Sequence, residues 1–158
     1  MATQLYGCIA EYGTPDKTKQ TKIYEQTNQV INNLPTNDAW PPLNHRMFSI
    51  ITNDEATPND TNIAYNGRLI IFGANLKSVE FYWAQWKPKF ERLLEQLWWT
   101  SANVHFKPEY TDLQTFKWQI DSTKWPANNS KNGILPSISP DFWIFNGDET
   151  WETHSKPY

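Results

Sequence analysis

Val79, Trp83, Trp86, Phe90, Leu93, Leu94 and Leu97 recur at steps of three and four over residues 79–98. That spacing lines large side chains along one face of a helix. A stripe so wide and so aromatic must bury against another apolar surface, which excludes an isolated or fully solvated helix. Pro88 interrupts the pattern. Inside a helix a proline removes one hydrogen bond and clashes with the preceding turn, at about 3 kcal/mol. Two arrangements relieve this. Either the helix bends at Pro88, or it begins near residues 85–86 with Pro88 in its first turn, where the missing N–H is harmless. The expectation is a helix over residues 88–98 that extends back toward residue 79.

A second helical pattern runs over residues 17–34, with Ile23, Tyr24, Thr27, Val30, Ile31 and Leu34 on one face. Pro35 closes it, and Gly13-Thr14-Pro15-Asp16 before it is turn chemistry. Strands are expected over residues 4–12, 46–52, 68–74, 102–107 and 115–121, with Phe116, Trp118 and Ile120 alternating against polar neighbours in the last. Leu69-Ile70-Ile71-Phe72 is apolar without alternation, which predicts a strand buried on both faces. The length of 158 residues suits one domain. The resulting order, strand–helix–strand–strand–helix–strand–strand, predicts an α+β fold: a ferredoxin-like βαββαβ core with an extra strand, hence an antiparallel sheet of about five strands with two helices on one face. Residues 1–121 form this core, and residues 122–158 are expected as an irregular aromatic extension docked on it, with a short edge strand near residues 142–145.

Composition narrows the function classes. A net charge of −3 weighs against nucleic acid as the main partner. The lysine and arginine clusters at 17, 19 and 22 and at 87, 89 and 92 read as solvated helix faces. No apolar run is long enough to span a membrane, the start lacks the features of a signal peptide, and the single Cys8 precludes an internal disulfide. The expected setting is cytoplasmic. Neither a nucleophile elbow nor a phosphate-binding glycine loop is present, and no cofactor or metal site is expected. Cys8 and His105 on neighbouring strands, and His105 with Glu109 and Asp112, are the constellations nearest to catalysis or metal binding. Structural roles account for both more simply, so the reading leans away from an enzyme. A small hydrolase or metal-dependent site around His105 is the alternative.

The nine tryptophans are the most unusual feature. Trp83, Trp86 and Trp118 fit the core, whereas Trp98, Trp99, Trp125, Trp143 and Trp151 are harder to bury together. Exposed tryptophans stack on sugars as well as on proteins, so glycan binding is a further alternative. Residues 141–152 interleave Asp141, Asp148, Glu149 and Glu152 with Phe142, Trp143, Phe145 and Trp151, and residues 53–62 form an acidic loop with Asp54, Glu55 and Asp60. Such acidic and aromatic surfaces complement a basic protein. The Trp-x-x-Trp helix running into Trp98-Trp99 and Val104-His105-Phe106, in a small acidic chain, resembles the immunity proteins of bacterial polymorphic-toxin systems. The resemblance implies a non-enzymatic module that blocks a toxin. The residues nominated for partner contact are Asp54, Glu55, Asp60, Trp143, Asp148, Glu149 and Trp151.

Overall fold

In the computed structural model, residues 1–52, 67–121, 123 and 139–147 are described. The elements are β1 (Ala2–Glu11), α1 (Lys17–Asn32), β2 (Phe48–Ile51), β3 (Leu69–Lys77), α2 (Trp83–Leu94), β4 (Trp99–Pro108), β5 (Gln114–Ile120) and β6 (Trp143–Asn146). They form one antiparallel sheet in the order β2-β3-β1-β4-β5-β6. Strands β2, β3, β1 and β4 have the ferredoxin-like arrangement, with β5 and β6 added beyond β4. The sheet has one strand more than the core-plus-one expectation, because residues 143–146 of the extension pair with β5.

Alternation along the strands separates two faces. Leu5 and Ile9 of β1, Ile70 and Phe72 of β3, Val104 and Phe106 of β4, and Phe116 and Trp118 of β5 are buried on one side. Both helices cover that side. Trp83 of α2 stacks on Phe116 at 3.9 Å, and Trp86 stacks on Phe90 at 5.2 Å while Phe90 meets Phe72 and Trp118. Gly7 makes room for this packing: a Cβ there would lie 2.0 Å from Asn103 O and 2.8 Å from the Phe72 ring. Trp98 and Trp99 join the core, fully or almost fully buried.

The helix boundaries follow from capping. Asp16 Oδ1 accepts from Lys19 N and so caps α1. A 3-10 turn, Val79–Tyr82, precedes α2, and Pro88 lies inside the helix, beyond the first turn. The helix ends at Leu94, earlier than residue 98. Gln96 N and Leu97 N donate to Leu93 O and Leu94 O in tightened turns, and Trp99 Nε1 donates to Leu94 O at 2.9 Å. The end is thus satisfied from within.

Two polar clamps fix the helices to the rest. Arg68, just before β3, forms a two-pronged ion pair with Glu11 of β1, with Nε–Oε1 and Nη2–Oε2 both at 3.0 Å, and reaches Tyr24 O and Asn28 Oδ1 of α1. At 8% and 4% exposure, this pair is buried. Lys89 is not a solvated cation as its cluster suggested. Its Nζ donates to Asp38 Oδ2, Ala39 O and Pro41 O, all at 2.8 Å, and straps residues 38–41 to α2. Burial pushes the Asp38 carboxyl up, but the hydrogen bonds from Lys89 and Leu43 N, with the lysine's charge, outweigh it and hold the group below its ordinary value.

The apolar run at residues 69–72 departs from expectation. β3 is not buried on both faces: Ile70 and Phe72 point into the core, whereas Leu69 is exposed and Ile71 half-exposed on the other side. No described element covers that second side of the sheet.

Candidate functional site

The uncovered face is a grid of cross-strand rows. One row runs Gly73, Tyr6, His105, Thr115 across β3, β1, β4 and β5. The next runs Ser49, Ile71, Cys8, Asn103, Lys117, Asn146 across all six strands. A third runs Ile51, Leu69, Ala10, Ser101, Gln119, Ile144. Tyr6 is 40% exposed and Leu69 and Ile144 are similarly open. With about 4.8 Å between neighbouring strands, the face is about 24 Å wide.

Its polar groups are arranged in pairs. The Tyr6 and His105 rings lie 5.0 Å apart, and His105 Nδ1 is hydrogen-bonded to Thr115 Oγ1 at 2.8 Å. Burial lowers the His105 pKa and the positive charge of Lys117 lowers it further, so both favour the neutral imidazole. The Cys8 thiol and backbone N–H both donate to Asn103 Oδ1, at 3.4 and 3.3 Å. Cys8 and His105 share the face but sit in adjacent rows, each with its own partner, so the geometry gives no thiol–imidazole pair. The strand positions of this face carry Lys77, Lys107, Lys117 and His105 and no carboxylate; Glu109 follows just past the end of β4.

Among the described residues no group of three or more histidine, cysteine, aspartate or glutamate side chains could hold a metal ion, so His105, Glu109 and Asp112 do not converge. No described helix is long and apolar enough to cross a membrane. Two of the clefts among the described residues lie elsewhere, and His105 lines neither. One, of about 240 Å³, lies beside the Asp38–Lys89 pair; the other, of about 340 Å³, lies beside Glu80 and Asp112.

Comparison with known proteins returns no matching family model, no matching curated protein and no matching solved structure.

Of the seven residues nominated for partner contact, Asp54, Glu55, Asp60, Asp148, Glu149 and Trp151 lie outside the described residues. Trp143 is described. It starts β6 and is half-buried on the helix side of the sheet, edge-on to Trp99 at 5.5 Å. Its neighbour Ile144 points to the open face instead. The described residues carry as many acidic as basic side chains, so the whole net charge of −3 belongs to the segments outside them.

Sequence reasoning did not single out Tyr6, Lys117 or Asn103. Each sits at an alternate strand position, which marks a side of a strand but not whether a helix covers that side.

Proposed function

We propose that this chain is a non-enzymatic protein-binding module of the immunity kind, which neutralises a toxin in the cytoplasm by occupying its surface. The observation that carries the reading is the six-stranded face that no described element covers, with Tyr6, Leu69 and Ile144 open on it. Exposed aromatic and aliphatic side chains on a rigid sheet lose little entropy when a partner desolvates them, which suits interface anchors. The face is cationic, so the partner surface that meets it is acidic. Asp54, Glu55, Asp60, Asp148 and Glu149 would contact basic parts of the same partner. The expectation of a basic partner is kept for these residues, and the sheet face adds an acidic surface to it.

The test is co-expression with the product of a neighbouring toxin-like reading frame. Rescue of growth by the wild type, lost with Tyr6→Ala plus Lys117→Glu, supports the open face as the contact. Rescue that survives this double variant but fails on neutralising Asp54, Glu55 and Asp60 moves the contact to the acidic loop. Absence of rescue from every adjacent frame removes the immunity reading.

A second reading rests on the Tyr6–His105 ring pair flanked by Lys107 and Lys117. Aromatics at the centre of an open ferredoxin-like sheet stack on single-stranded RNA bases. Fluorescence polarisation with a labelled single-stranded RNA, across a salt series, decides it: salt-sensitive binding lost in Tyr6→Ala supports it, and no binding at low salt excludes it.

A further inference from the structure

We infer that His105 Nε2, Lys117 Nζ and Asn103 Nδ2 form a seat for one carboxylate, presented by an acidic side chain of the protein partner, with the Tyr6 ring beside it as an apolar platform. This seat deepens the reading of the open face as a protein contact, on which it rests.

Strand register builds the seat. Thr115 is directly opposite His105 and Lys117 directly opposite Asn103, so His105 and Lys117 are diagonal neighbours on the outer side of β4 and β5. Such diagonals stand about 7–8 Å apart, within reach of long side chains. On the other flank Tyr6 of β1 is opposite His105, with the ring centres 5.0 Å apart. Beyond Tyr6, Gly73 of β3 brings no side chain to cover that ring.

The donors are fixed in place yet have no acceptor. Thr115 Oγ1 holds the imidazole through Nδ1, while Nε2 has no partner among the described residues and is not one of the buried polar atoms left without one, so solvent reaches it. Cys8 N and Sγ hold Asn103 through Oδ1, and its Nδ2 has no partner among the described residues. Lys117 is exposed and forms no ion pair among them. Lys107, by contrast, gives its ammonium to Pro108 O and Thr111 O, and Lys77 stands two rows away from Tyr6. With no carboxylate at any strand position of this face, the charge of Lys117 is unmatched there. One available ammonium and one titratable ring suit a single negative charge better than a run of phosphates, which draws on several cations at once. Leu69 and Ile144, open one row beyond Asn103 and Lys117, suit apolar neighbours of that acidic side chain.

A proton accompanies the carboxylate. The titratable groups facing His105 are Tyr6 and Cys8 from β1, Lys107 from its own strand and Lys117 from β5, and none is a carboxylate. In the free chain burial and Lys117 favour the neutral ring. A carboxylate against Nε2 favours the imidazolium instead, so its seating raises the His105 pKa and takes up a proton. The gain in affinity is complete below the pKa of the free chain and gone above that of the complex.

The probes are hydrocinnamate, its neutral counterpart hydrocinnamyl alcohol, and phenyl phosphate, each titrated into the isotopically labelled full chain at constant ionic strength. Hydrocinnamate should shift the His105 ring and the amides of residues 103–106 and 115–117 saturably, and should raise the pKa read from the His105 Cε1 proton. It should bind at least about threefold tighter at pH 5.5 than at pH 8. His105→Asn should remove that pH dependence, and Lys117→Gln should weaken binding about threefold, as for a partly exposed charge pair. Equal binding of acid and alcohol, an unmoved His105, an affinity independent of pH, or tighter binding of phenyl phosphate at pH 5.5 overturns the proposal. So does a free-chain His105 pKa above 6.5 that falls when Asp54, Glu55 and Asp60 are neutralised, since this chain's own carboxylates then fill the seat. Growth rescue that is lost in Tyr6→Ala plus Lys117→Glu, with no effect of hydrocinnamate, sinks the seat and leaves the face as the contact. A hydrocinnamate response without rescue from any adjacent frame keeps the seat and removes the immunity reading.

Discussion

Along β1, Leu5 and Ile9 are fully buried beneath the helices, whereas Tyr6 and Cys8, one step away from them, look out from the other side. The same division holds on β4 and β5: Phe106, Val104, Phe116 and Trp118 turn inward, and His105, Asn103, Thr115 and Lys117 turn out. The inner face is tiled with large rings in contact with one another. The outer face mixes polar and cationic side chains that pair locally across strands with open apolar ones, Tyr6, Leu69 and Ile144. Size and shape therefore decide which residues the inner face accepts, and charge and hydrogen bonding decide what the outer face can meet. Stability belongs to the inner side.

The sharpest way to break this division is to truncate one ring on each side. Trp83 is fully buried and touches Phe116, Trp86 and Phe106. Trp83→Ala should cost about 3–5 kcal/mol or prevent folding. Tyr6→Ala, on an open position, should cost less than about 1 kcal/mol. Urea denaturation followed by tryptophan fluorescence measures both. Similar losses for the two would mean that the outer face is covered.

The ion pair tests whether the inner side tolerates charge only when it is matched. Arg68→Met leaves the Glu11 carboxylate buried with its two-pronged partner gone, and should destabilise by about 3–5 kcal/mol. The double variant Glu11→Leu plus Arg68→Met should recover most of that loss, because a buried pair replaced by apolar groups of similar size is close to neutral. A double variant no better than Arg68→Met would show that the bonds from Arg68 to Tyr24 O and Asn28 carry the stability instead. Both are read from the same denaturation midpoints.

The inner face was the legible one in the sequence. Steps of three and four from Val79 to Leu97 and the alternation of Phe116, Trp118 and Ile120 follow directly from the geometry of a helix and a strand, so element order and the ferredoxin-like core could be derived. Less legible were features that depend on non-local contacts. Pro88 stands inside α2 because the preceding 3-10 turn moves the helix start back to Trp83, and Trp99 ends the helix by reaching back to Leu94 O. Leu69 and Ile71 imitate a doubly buried strand, yet no described element covers their side of the sheet. The Glu11–Arg68 pair joins residues 57 positions apart, beyond the reach of any local pattern. The candidate face was hidden for the same reason: Tyr6, His105, Thr115 and Lys117 become neighbours only through strand pairing.

The smallest predicted effect lies on that face and concerns protons. Burial and the charge of Lys117 both favour the neutral form of His105, so its folded-state pKa lies below the 6.5 of the unfolded chain. As pH falls through 6.5 the unfolded state takes up the proton first. Stability is therefore complete above that value and declines as pH drops toward the folded pKa. His105→Asn should flatten this part of the stability–pH curve relative to wild type, with the other histidines cancelling in the difference. Lys117→Gln removes one of the two causes and should raise the His105 pKa, which the Cε1 proton resonance reports directly. An unmoved resonance in Lys117→Gln would assign the shift to burial alone.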